Sequence, residues 1–266
     1  MDISQVFGYF GALLIGLVLG LIGGGGSILT VPILVYLMSV NPITATAYSL
    51  FVVGVSSVFG TIQNIKKGLV DFKTALVFAI PAFIAVYLAR KLIVPAIPET
   101  IFTVGDFILT KDIGIMVFFA IIMLLASISM IKERKVTPKS SPTNVKFNYP
   151  VIIIEGLAVG VLTGIVGAGG GFLIIPALVL LAKLPMKKAV GTSLLIIAVK
   201  SLIGFIGDIE NLEIDWSFLL VFTAISVVGI FIGSYLSNFI DGKKLKKSFG
   251  WFVLIMGIYI ILKELL

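Results

Sequence analysis

Two glycine clusters and a few polar side chains carry the chemistry this chain could perform. Gly23–Ser27 is four glycines followed by a serine, set between apolar runs, and Gly167-Ala-Gly-Gly-Gly171 is its near copy in the second half. Gly24, Gly25, Gly26 and Ser27 in the first cluster, and Gly169, Gly170 and Gly171 in the second, are candidates for gripping a ligand through the main chain. Glycine lets backbone approach a ligand closely and supplies any positive φ the turn needs. A helix starting just after such a cluster presents free N–H groups and its positive dipole end, which together favour an anion. Ser49, Thr192 and Ser193 offer hydroxyl donors downstream, and Lys200 offers the one charge inside its apolar segment. A lysine within a hydrophobic span is costly and by default marks function. Lys200 has two readings: a cation facing an anion path, or a side chain snorkelling to the nearby interface.

These residues recur in register. Gly20–Pro32 reappears 144 residues later as Gly164–Pro176, without a gap from Gly20/Gly164 to Phe72/Trp216, and 18 of those 53 pairs are identical. That level of self-similarity makes the chain two related halves. Matched sites include Ser49/Ser193, Tyr48/Thr192, Ser56/Lys200 and Asp71/Asp215. Asp71 and Asp215 precede apolar segments and read as helix N-caps, with Phe72 and Trp216 as interfacial aromatics. Single glycine clusters often serve only to let membrane helices pack closely. Two matched clusters, each ahead of a short apolar segment, favour a binding site at the repeat interface.

The elements that position these groups are membrane helices. The chain is 59% hydrophobic and 12% charged, against roughly 25% charged in soluble domains. Runs such as 113–131 and 217–240 carry no charge and are long enough for a ~30 Å hydrocarbon core. The net charge of +7 reads as a positive-inside bias, and no nucleic-acid partner is expected. With no Cys and no His, disulfides, thiolate or imidazole metal sites and histidine relays are excluded, and no cofactor is expected. Met1-Asp-Ile-Ser-Gln5 lacks the basic n-region of a signal peptide, so the first segment is expected to stay attached.

The expected fold is an all-α integral membrane protein of two inverted-topology repeats. Residues 1–131 form the N-terminal repeat, with a glycine-tipped hairpin at 6–39 and helices at 44–63, 74–95 and 112–131. Residues 132–148 form a linker, and 149–266 the C-terminal repeat, with a hairpin at 150–182 and helices at 189–207, 217–240 and 246–265. The arms 27–39 and 172–182 are too short to span, and non-helical backbone at their tips survives at membrane depth only when buried or lining a cavity. The basic linker and Lys183–Lys188 fall on the cytoplasmic side, the acidic loop Asp208–Asp215 outside, and both termini outside. Matched loops then carry opposite charge preferences, as inversion requires. Arg90 and Lys91 fall near the outer surface in this arrangement, where snorkelling places their charges. Glu155 reads as interfacial, Asn64 and Asp208 as lining a vestibule.

The chain resembles the TauE/SafE sulfite exporter family. The resemblance rests on Gly20–Pro32 and Gly164–Pro176, on Ala45–Leu50 and Gly191-Thr-Ser-Leu194 after each hairpin, and on Gly68–Phe72 with its Val-Asp-Phe ending. It covers nearly the whole chain outside 96–111 and 132–148. Tyr48 departs from the family's usual Ala-Thr-Ser-Leu, and Lys200 stands where many relatives are polar but neutral. The resemblance implies a cell-membrane transporter of sulfite, organosulfonates or related oxyanions.

Residues and resemblance together point to a secondary transporter working by alternating access, with a small anion held at the two tips. No Gly-x-x-x-x-Gly-Lys-Ser/Thr motif is present, so an ATP-driven P-loop machine is excluded. A coupling ion, H+ or Na+, and a homo-oligomer fit the scheme. The alternative is an anion channel, or a permease for a non-sulfur anion such as a carboxylate. An intramembrane enzyme lacks the nucleophile–base or metal set it needs, and a cation permease conflicts with helix N-termini facing the site.

Overall fold

A computed structural model describes residues 3–265 apart from 25, 105–106, 133–148, 168, 181, 183 and 240–241. Gly25 and the linker 133–148 therefore lie outside the described residues. The molecule is an all-α integral membrane protein, and six described helices are long and apolar enough to cross a bilayer.

Helix α1 (Ile3–Ile22) stops at Gly23, whose φ of +79° a side chain would resist and whose N–H donates to the Leu19 carbonyl at 2.7 Å. After the glycines, α2 (Ser27–Pro32) runs back along α1, with Gly26 against Leu19, Gly11 against Ile33 and Gly8 against Met38. Pro32 lacks an N–H, and the chain passes there into a π-helical stretch, Ile33–Leu37. Asn41 caps α3 (Pro42–Lys66), accepting the Ile43 N–H at 2.9 Å. Asp71 caps α4 (Phe72–Leu88), accepting the Thr74 N–H at 2.8 Å. That helix continues through a second π-helical stretch, Ala89–Ile93, into the short α5 (Val94–Ala96). The connection before the next helix holds an antiparallel hairpin, β1 (Thr100–Val104) with β2 (Phe107–Thr110). Its alternating Thr, Ile, Phe and Val residues suit a pleated strand. Helix α6 (Lys111–Ile131) closes the first half.

In the second half, α7 (Tyr149–Val166) ends at Gly167, which has φ +70° and donates to the Thr163 carbonyl at 2.8 Å. Then come α8 (Gly171–Leu180), α9 (Met186–Ile209), α10 (Trp216–Leu236) and α11 (Gly242–Leu265). Asp215 caps α10 through the Phe218 N–H at 3.0 Å.

Polarity is distributed as a membrane solvent demands. Phe7, Leu76, Leu88, Leu125, Leu220 and Ile255 are exposed, whereas Ser27, Thr46, Ser49, Ser56, Thr192, Ser193, Arg90 and Lys200 are buried. Lipid tails offer no hydrogen bonds, so polar groups turn inward. The halves interleave: α1 packs on α10, α7 on α4, α3 on α9, and α6 on α11. Small residues set the closest approaches. Gly16 and Gly20 of α1 face the backbone of α10, where Gly229 and Gly233 face back. Gly156, Gly160 and Gly164 of α7 lie against Phe78, Pro81, Ala82 and Ala85 of α4 and Ala89 of the π-helical stretch that follows it. Lipid supplies no hydrophobic drive between helices, and such small-xxx-small seams let dispersion hold them together.

Candidate functional site

The two glycine clusters meet. A methyl group added at Gly24 would overlap the Gly171 backbone, and one at Gly171 would overlap Gly24. Gly169 lies beside Ser27, its added Cβ falling 3.1 Å from the Ser27 Cβ. The contact is thus backbone against backbone, which only glycine permits. Each tip also rests on the long helix of the other half: Gly23 against Val190 of α9, and Gly167 against Thr46 of α3. Val190 and Thr46 are matched positions of the repeat, as are Gly23 and Gly167.

Equivalent residues also exchange equivalent hydrogen bonds. The Tyr48 hydroxyl accepts the Asp215 N–H at 2.7 Å, and the Thr192 hydroxyl accepts the Asp71 N–H at 2.9 Å. Each long helix thereby holds the start of a helix from the other half. Thr192 accordingly lies against the Leu69–Asp71 connection, beside Gly191, and its oxygen is engaged there. Ser193 is nearer a tip, with its hydroxyl proton facing the carbonyls of Gly23 and Val190, both at 2.8 Å. Its counterpart Ser49 is fully buried, and its Oγ has no partner among the described residues. Ser27 donates to the Gly24 carbonyl at 2.7 Å, so its hydroxyl braces its own tip.

Lys200 decides between its two readings by being 0% exposed. Its Nζ donates to Thr163 Oγ1 at 2.7 Å and stands beside Gly170, at 2.8 Å from where a Cβ there would lie. Snorkelling is ruled out, because the amine points at the second tip rather than at an interface. Among the described residues no carboxylate pairs with it. An ammonium carries three donors and a full charge, and burying it against one neutral hydroxyl is costly. Gly170 beside it, and Gly169 before that, hold φ of +67° and +61°, a left-handed backbone that side chains resist.

Arg90 overturns the expectation of a snorkelling side chain. It is the largest fully buried side chain described. Its Nε donates to both carboxylate oxygens of Asp208, at 2.8 and 2.7 Å. Nη1 donates to Thr46 Oγ1 at 2.9 Å and to the Gly164 carbonyl at 3.2 Å. Asp208 is likewise buried, paired rather than open to a vestibule. Asn64, its counterpart, is buried and donates to the Gly60 carbonyl at 2.8 Å. A π-helical stretch carries one extra residue per turn and shifts the helix face. Arg90 sits inside such a stretch and turns inward, while Lys91 stays 40% exposed and pairs with Glu210 at 3.4 Å. Hydropathy alone gave no sign of the shift. The signal available was one base, Arg90, inside an apolar segment, and one acid, Asp208, immediately past the end of another. Glu155 is partly buried on α7.

Comparison with known proteins agrees with this architecture. The family described as Sulfite exporter TauE/SafE matches residues 9–260. A "Probable membrane transporter protein YunE" of Bacillus subtilis (strain 168) is 30% identical over 272 residues, covering 94% of this chain and 92% of that protein. A "Probable membrane transporter protein" of Xylella fastidiosa (strain Temecula1 / ATCC 700964) is 28% identical over 256 residues, covering 93% and 91%. A third, "Probable membrane transporter protein MJ0441" of Methanocaldococcus jannaschii, is 38% identical over 116 residues, covering 41% of this chain and 43% of that protein. No solved structure matches the chain. The match runs through both glycine clusters, both long helices and both capping aspartates, and the chain belongs to the Sulfite exporter TauE/SafE family of membrane transporters.

Proposed function

We propose that the protein is a secondary transporter of a sulfur-containing oxyanion, sulfite or an organosulfonate, working by alternating access. The observation that carries this reading is Lys200: a fully buried lysine amine at the second glycine tip, with no carboxylate beside it among the described residues. The missing negative charge is the substrate's. The N–H groups at the start of α8 and of α2 add donors, and the unpartnered Ser49 hydroxyl adds another. Gly24, Gly26, Ser27, Gly169, Gly170, Gly171 and Ser193 shape the cradle, with Gly25 in the same cluster. Thr192 acts one step away, through Asp71.

The reciprocal contacts support an inverted repeat. If the two halves are related by an axis in the membrane plane, the tips meet at the midplane, the linker 132–148 is cytoplasmic and both termini lie outside. Rocking of one interleaved set against the other then exposes the tips to each side in turn. Sulfite is the substrate to test first, because the family carries that name.

The experiment is sulfite flux into proteoliposomes, with sulfoacetate, sulfate, acetate and chloride as competitors, with and without H+ and Na+ gradients. Saturable flux, competed by sulfonates and driven by one gradient, is the expected result and names the coupling ion. Flux that never saturates makes the protein an anion channel. Competition by acetate alone moves the substrate to carboxylates.

A further inference from the structure

Arg90 carries an inference beyond the tips. Its guanidinium is buried and held by three residues, yet Nη2 has no hydrogen-bond partner among the described residues. An oxyanion grips arginine through two neighbouring nitrogens. The two edges that allow this are Nε with Nη2 and Nη1 with Nη2, so the nitrogen common to both is the free one. Asp208 does not take either edge: both of its oxygens sit on Nε alone. The pair is therefore an ion pair that leaves one buried guanidinium nitrogen, Nη2, without a partner among the described residues.

The surroundings give that position a place on a route. Arg90 and Lys200 reach the last turn of α7 from opposite neighbours, α4 and α9, and bond consecutive residues: Gly164 for Arg90 and Thr163 for Lys200. Thr46, which accepts from Nη1, also packs against Gly167 at the second tip. On the other side, Gly207 lies against Arg90 and Lys91, and Lys91 pairs with the exposed Glu210. Basic side chains thus step inward from Lys91, half-exposed and paired, to Arg90, buried and paired, to Lys200, buried and without a carboxylate partner among the described residues.

We propose that Arg90 is a second anion-binding residue of the transport path, lying between the Lys91–Glu210 face and Lys200, and that Asp208 is the internal competitor that occupies it while the anion is elsewhere. This rests on the anion-transport reading above. An oxyanion arriving at Nη2 displaces Asp208 from Nε, loosens the tie between α9 and the π-helical turn of α4, and moves on to the charge that has no competitor. The design requires that Asp208 and the anion compete for one group.

Competition predicts effects of opposite sign, which a merely structural ion pair does not. The full-length protein, purified in detergent, is titrated with sulfite, and with sulfate and acetate as further probes, while its thermal unfolding is followed. Asp208→Asn is expected to lower the sulfite concentration needed for half-maximal stabilisation by about tenfold, and Arg90→Lys, which keeps the charge but loses the fork, to raise it by about tenfold. Both variants shifting in the same direction, or neither shifting, overturns the assignment of Arg90 while leaving Lys200 and the tips intact. Should Asp208→Asn not fold, Arg90→Lys alone decides, and an unchanged sulfite response overturns the proposal. A wild-type protein that no probe stabilises overturns the anion reading as a whole, and the Arg90 site with it.

Discussion

At the first tip, the serine hydroxyls face the tip's own backbone: Ser27 donates to the Gly24 carbonyl, and Ser193 reaches the Gly23 carbonyl. At the second, the residue matching Ser27 is Gly171, the one matching Ser193 is Ser49 with no partner, and the one matching Ser56 is Lys200. The first tip is therefore self-satisfied and neutral. The second carries the Lys200 amine, and Ser49, the match of Ser193, keeps a hydroxyl without a partner among the described residues. Related halves commonly keep a shared scaffold and divide the roles, and here the scaffold is kept by glycine while the charge sits on one side only. Ser56, lacking that charge, bonds the Ser226 hydroxyl at 2.9 Å and simply ties α3 to α10.

The largest expected break of this asymmetry is Lys200→Met. Losing a charged hydrogen-bond donor to the anion costs about 1.5–3 kcal/mol, or roughly 10- to 100-fold in sulfite affinity. Proteoliposome flux checks it, and full activity in Lys200→Met would sink the central role given to this charge. Gly170→Ala comes next. Its Cβ would fall on Thr163 and crowd the Lys200 amine, and φ is +67°. The left-handed penalty alone is about 1–2 kcal/mol, so a lower thermal midpoint and a loss of flux are expected together. The serines sharpen the comparison. Ser193→Ala removes a bond to the first tip and should cost about 1 kcal/mol of stability. Ser49→Ala removes no hydrogen bond among the described residues, so stability should hold while the sulfite KM rises. If the two serine variants behave alike, the tips are not specialised. Smallest is the matched pair Tyr48→Phe and Thr192→Val, each leaving an aspartate N–H unpaired. Each should cost about 1 kcal/mol by thermal unfolding, with little change in KM.

Much of this arrangement was legible in the residues. The 144-residue register located both tips, both capping aspartates and both long helices, because a duplicated scaffold repeats the same steric needs at the same spacing. Asp71 and Asp215 do cap α4 and α10. Thr192, a candidate hydroxyl donor by sequence, has its oxygen turned by the helix phase toward the Asp71 N–H. Arg90 was misjudged because the π-helical turn changes which face it occupies, and its partner lies 118 residues away. The β-hairpin in 100–110 was missed because a short polar–apolar alternation beside a membrane helix reads equally as loop.

The residues alone determined the solvent, the helices, the duplication and the glycine tips, since hydropathy and glycine content act locally, over one segment at a time. Only the tertiary structure decided which polar groups are spent and which are free. Whether Lys200 faces lipid headgroups or the second tip, whether Ser49 has a partner, and whether Arg90 meets Asp208 depend on helix rotation and on contacts between halves. In lipid those rotations are set by where glycine lets one backbone touch another, and that is a property of pairs of helices rather than of any one segment.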